Sequence, residues 1–90
     1  MAPLLSSNAD LYSYLGRLRQ MLADRGANDL AEAVGKALRF AAGMTTEFLG
    51  ESRIALSMVQ HAKNNPLDQS ERQLLAQVIS ELDAAFDRRR

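Results

Sequence analysis

No cysteine occurs in this chain. That excludes a disulfide framework, a zinc ribbon and a thiol nucleophile, and it fits a reducing, cytoplasmic setting. Tryptophan is absent, and proline occurs only at Pro3 and Pro66. Glycine is also sparse, and Val, Ile and Thr are too scarce for a sandwich of many short strands. Charge of one sign is lacking as well. Eleven basic residues balance eleven acidic ones, for a net charge of zero. A dedicated nucleic-acid binder usually carries a basic excess or a basic face, so neither a polyanion nor a polycation is implied as partner. Long hydrophobic runs are missing too. No stretch approaches the ~18 apolar residues that span a membrane. The N-terminal MAPLLSS has no basic leader and only a short apolar run, so it does not read as a signal peptide.

What the chain does have is leucine at helical spacing. Forty-seven per cent of its 90 residues are hydrophobic, which is enough for one core and too little chain for two. The reading is one helical domain over 1–90, with residues 1–6 as a loose arm on which Leu4 and Leu5 can tuck against the bundle.

The first helix is expected over about 8–25, with Ser7 as N-cap, Asp10 as a short capping-box partner, and Gly26 as its stop. Leu11, Leu15, Leu18 and Leu22 form its core stripe. Tyr14 and Met21 widen the stripe on one side and Tyr12 on the other. A second helix over about 30–42 starts at an Asp29–Glu32 capping box. Its face is thin: Leu30, Val34, Ala37, Leu38 and Ala41, with Phe40 adding bulk.

Arg39 to Glu51, RFAAGMTTEFLGE, is the hinge at mid-sequence. Gly43 suits a left-handed C′ position, Thr45 or Thr46 an N-cap, and Glu47 the positive end of the next helix. Phe40 and Phe48 can close over the turn. The third helix is expected over about 46–63, with a stripe of Phe48, Ser52, Ala55, Val59 and Ala62 flanked by Leu49 and Leu56. Ile54 and Met58 fall off that stripe, and His61 lies beside Ile54. Asn64-Asn65-Pro66 ends it. The fourth helix, about 69–87, begins at an Asp68–Glu71 capping box. Leu74, Leu75, Val78, Ile79, Leu82, Ala85 and Phe86 spread over roughly 140°, wider than the ~100° of an ordinary core stripe. Arg88, Arg89 and Arg90 match its negative end.

Gly16, Gly35 and Gly50 sit inside three of these helices, each costing ~1 kcal/mol relative to Ala. Close helix crossings would account for them. Short connections make sequential helices antiparallel neighbours. The expected fold is a small all-α four-helix bundle, either up-down-up-down or two crossed hairpins.

The chemistry-bearing patterns are weak. Glu47 and Glu51 share a helix face, but the single histidine, His61, is more than two turns away, so no metal set forms. The pattern reads as a solvated acidic edge. No serine sits in a G-x-S-x-G elbow, and no Gly-rich phosphate loop or dinucleotide fingerprint occurs. Asp83 and Asp87, with Glu81 nearby, read as a soluble helix face. No cofactor, metal or catalytic residue is implied. A helix-turn-helix across Gly43 would put Arg39 where a small residue must pack. It would also set Glu47 and Glu51 against phosphates, so it makes a poor DNA reader. Tyr12, Tyr14, Phe40, Phe48 and Phe86 read as core rather than as a base-stacking platform.

Binding to protein is what these exclusions leave. Ile54 and Met58 on the third helix, and Ile79 and Phe86 at one rim of the fourth, are the candidate contact residues. The expectation is a non-enzymatic, bacterial-style, cytoplasmic interaction module. Like an adaptor, antitoxin or inhibitor, it would present an apolar helical face to itself, as a homodimer, or to another protein. The alternative is a nucleic-acid-associated regulator using Arg17, Arg19, Arg25 and the Arg88–Arg90 tail. TTEFLGE itself reads as a helix cap followed by a close-packing glycine.

Overall fold

The computed structural model describes residue 5 and residues 7–88, with side chains through residue 86. The remainder of the expected arm (1–4 and 6), including Leu4, and the side chains of Asp87 and the Arg88–Arg90 tail lie outside the described residues. Among the described residues, four helices make an all-α bundle: α1 (Asn8–Asp24), α2 (Asn28–Leu38), α3 (Thr45–Gln60) and α4 (Gln69–Arg88). One 3₁₀ turn, Arg39–Ala42, extends α2. The shortest dimension is 19 Å, the depth of two helix layers at ~10 Å each.

Direction alternates along the chain. Asn8 Nδ2 donates to Thr45 Oγ1 at 3.3 Å, so α1 and α3 start at the same end. Arg25, at the end of α1, pairs with Glu71 at the start of α4. At the other end of the molecule, the Leu5 backbone N–H donates to Glu81 Oε1 at 2.7 Å. These ties set α4 antiparallel to α1, the up-down-up-down order.

The core is continuous across all four helices. Leu11, Leu15, Leu18 and Leu22 line its α1 side as their spacing predicts, and Tyr14 joins them. Val34 and Ala37 come from α2. Phe48, Leu49, Ala55, Leu56 and Val59 come from α3, and Leu75, Val78, Ile79 and Leu82 from α4. Leu5, Phe40 and Phe86 pack partly buried against this cluster. Two core residues lie outside the expected stripes: Ala31, on the helical period one turn before Val34, and Leu67, alone in the loop before α4.

Two caps follow the sequence closely. Ser7 Oγ accepts from the Asp10 backbone N–H at 3.3 Å. Asp68 and Glu71 form the full reciprocal box: Glu71 N–H donates to Asp68 Oδ1 at 2.8 Å, and Asp68 N–H to Glu71 Oε1 at 2.9 Å. Gly26 is left-handed at φ 82° and closes a Schellman motif. Its N–H reaches the Ala23 carbonyl at 3.1 Å, while Ala27 N–H reaches Leu22 at 2.8 Å.

That motif overturns the Asp29 cap. Ala27 completes the end of α1 and is also the N-cap of α2, which begins at Asn28 with no side-chain cap. Asp29 is left inside the first turn, where its charge still suits the positive helix end. Gly43 is a second correction. Its φ is −98°, not left-handed. The 3₁₀ turn closes the helix instead, with Gly43 N–H on the Phe40 carbonyl at 3.0 Å. The chain then runs extended into Met44, the N-cap of α3, and Thr45 is helical rather than capping. α3 also stops earlier than expected. Asn65 folds back, its Nδ2 donating to the Val59 carbonyl at 2.7 Å and its Oδ1 accepting from Leu67 N–H at 3.0 Å.

The glycines do not mark backbone crossings. A methyl group on Gly16 would meet nothing within 4 Å. One on Gly35 would meet the flexible Arg19 side chain at 3.0 Å, and one on Gly50 would meet the Phe86 ring at 3.9 Å.

Candidate protein-binding face on α3

α3 divides cleanly into two faces. Its inner face, Phe48, Ser52, Ala55, Leu56 and Val59, is buried. At 100° per residue, Glu47, Glu51, Ile54 and Met58 of α3 and its C-cap His61 fall on one strip about 120° round the helix from the middle of that face. Ile54 is 58% exposed and Met58 51%. These are two large apolar side chains one turn apart, left in water by the chain's own core.

The other two expected contact residues part company. Ile79 is 6% exposed and belongs to the core. The buried stripe of α4 is shifted towards it, and the leftover apolar residue is Leu74 on the opposite rim, 41% exposed. Phe86 is half-buried, and its ring lies over Gly50, one turn before Ile54 on α3. It thus sits at the junction of α3 and α4. Arg53 fixes the same junction, with Nε 2.8 Å from Asp83 Oδ1. That pair takes Asp83 out of any carboxylate site.

The rim of the patch is polar. Glu47 and Glu51 lie towards the start of α3 and His61 towards its end. His61 Nδ1 lies 2.9 Å from the Ser57 carbonyl. A carbonyl only accepts, so Nδ1 carries the proton and Nε2 is left for other partners. Ser57 Oγ is 3.4 Å from the same nitrogen. Both groups sit on an exposed helix surface.

Three further exposed apolar residues were not among the expected contact residues: Tyr12 and Leu74, expected on core faces, and Met44. Tyr12 is outside the core it was expected to join. It lines an open cleft between α1 and α2, with Arg19, Glu32 and Arg39. Leu74 lines a cavity of about 230 Å³ between α1 and α4, with Tyr14, Leu18, Met21 and Leu67. Burial pushes the Tyr14 phenol up to about 12, Arg17 partly opposes this, and Glu71 adds to it.

One arginine of the nucleic-acid alternative is tied up by the bundle itself. Arg25 is committed within the fold: Nη1 and Nη2 reach the two Glu71 carboxylate oxygens at 2.6 and 2.9 Å, and Nη1 also reaches the Pro66 carbonyl at 3.2 Å. The Arg25 guanidinium, with the Asp68 backbone N–H second, holds Glu71 below its ordinary range. The Glu71 backbone N–H, then the Ser70 hydroxyl, hold Asp68 low. Among the described residues no three His, Cys, Asp or Glu side chains gather as a metal site. No helix among them is long and apolar enough to cross a membrane.

The chain matches no known family model, no curated protein and no solved structure.

Proposed function

We propose that the chain is a non-enzymatic helical interaction module of the cytoplasm that offers the outer face of α3 to a second helical surface. The observation that carries this reading is the pair Ile54 and Met58, one turn apart on α3 and both more than half exposed. The half-buried Phe86, packed over Gly50 one turn before Ile54, would carry the patch onto α4. Apolar anchors inside a charged rim are the usual anatomy of a protein-binding face. Glu47, Glu51, His61 and the Arg53–Asp83 pair supply that rim. Its action would be occlusion or scaffolding, in the manner of an adaptor, antitoxin or inhibitor.

Ile54→Asp or Met58→Asp tests it. Each places a charge on a side chain already facing solvent, so the helical circular dichroism should persist while assembly is lost. Assembly that survives both changes overturns the reading.

A further inference from the structure

We infer that the surface meeting α3 is α3 of a second copy, packed antiparallel across a two-fold axis. This rests on the reading of α3 as a binding face and names its partner. The spacing of the exposed line carries the inference. Glu47, Glu51, Ile54, Met58 and His61 follow steps of four, three, four and three, the seam of a coiled coil. A two-fold interface is self-complementary: residue i meets j, and j meets i. In one antiparallel register, Ile54 packs on the partner's Met58, and Met58 on the partner's Ile54. The same register sets Glu51 opposite the partner's His61, and His61 opposite the partner's Glu51. Apolar groups meet apolar groups, and each carboxylate meets an imidazole whose Nδ1 is held by its own helix, leaving Nε2 for the partner. A carboxylate only accepts, so this contact uses the imidazole with both ring nitrogens protonated, one donating to Ser57 and the other to the partner.

The alternatives are worse. A parallel pair would set Glu51 against the partner's Glu51 and Glu47 against the partner's Glu47, and would align two helix dipoles. Sliding the antiparallel pair by one heptad puts Ile54 on the partner's Glu51, or Met58 on the partner's His61. One helix seam buries less than the ~800 Å² per partner of a standard stable interface, so the dimer is a weak one, assembling as concentration rises.

Engineered cysteines read the register directly, because the chain has none of its own. Ile54→Cys and Met58→Cys chains are oxidised separately and as a mixture, alongside light scattering of the unmodified protein over a concentration series. The expected results are a concentration-dependent doubling of the 9.9 kDa mass and a mixed disulfide forming at least ~10-fold faster than either homodimer disulfide. Homodimer disulfides forming as fast as the mixed one overturn the antiparallel register. A mass that stays at one chain overturns self-pairing. In that case Ile54→Asp separates the two claims. If it removes binding to a different protein, the α3 face stands and only the self-pairing falls. A dimer that Ile54→Asp leaves intact overturns both.

Discussion

Arg25 and Glu71 clasp α1 to α4 at one end of the bundle. Both guanidinium arms meet both carboxylate oxygens, at 2.6 and 2.9 Å, and join the end of α1 to the first turn of α4. Glu71 also completes the Asp68 capping box, so one carboxylate serves as helix cap and as inter-helix tie.

This double duty makes the start of α4 acid-sensitive. Glu71 and Asp68 are held below their ordinary range in the fold, so the folded chain binds fewer protons than the unfolded one as acid is added. Their stabilisation is present above the usual carboxylate range near pH ~4 and is lost as pH falls through their lowered values. Thermal unfolding should show a lower Tm at about pH 3 than at about pH 7. Glu71→Gln should lower the Tm at neutral pH and shrink its acid-induced drop. An equal drop in both proteins would show that the clasp does not couple to pH.

Ser52 is fully buried on the inner face of α3, and its hydroxyl has no hydrogen-bond partner among the described residues. A buried polar group left unpaired costs ~1–3 kcal/mol. Ser52→Ala removes that cost and adds helix propensity, against a small loss of packing. It should stabilise the chain by about 1 kcal/mol in urea unfolding. Destabilisation of that size would mean that the hydroxyl is bonded.

Two glycines should respond in opposite directions. Gly16 lies inside α1 with open space where a methyl group would go, so Gly16→Ala should stabilise by about 0.5–1 kcal/mol. Gly26 holds φ 82° at the Schellman turn, where an L side chain costs ~1–2 kcal/mol. Gly26→Ala should destabilise by about that amount. Chemical denaturation measures both, and a loss at Gly16 would restore the idea of a close crossing there.

The parts of this fold legible in sequence are those governed by helical period alone. The leucines at 11, 15, 18 and 22 are core because one face of an amphipathic helix must be buried, and Ile54 and Met58 are exposed for the same reason. Where tertiary geometry decides, the residues mislead. Asp29 looks like a cap, but the Schellman turn delivers the chain into α2 two residues too early for it. Gly43 looks like a left-handed stop, but a 3₁₀ turn ends the helix first. Ile79 and Leu74 are equally apolar and flank the same stripe of α4. Only the roll of that helix against α1 and α3 buries the first and exposes the second. The Asn65 hydrogen bond to Val59 and the burial of Leu67 are loop effects with no periodic trace.

The central claim is that the outer line of α3 is the working surface of this molecule. The most direct test compares two charge insertions at exposed apolar sites, Ile54→Asp on α3 and Leu74→Asp on the α4 rim. Assembly, with itself or with a bound partner, is followed by light scattering, and helicity by circular dichroism. The account predicts that both variants stay helical, that Ile54→Asp weakens assembly by ten-fold or more (roughly 1.4 kcal/mol), and that Leu74→Asp leaves it unchanged. Assembly that is lost with Leu74→Asp and kept with Ile54→Asp would contradict it.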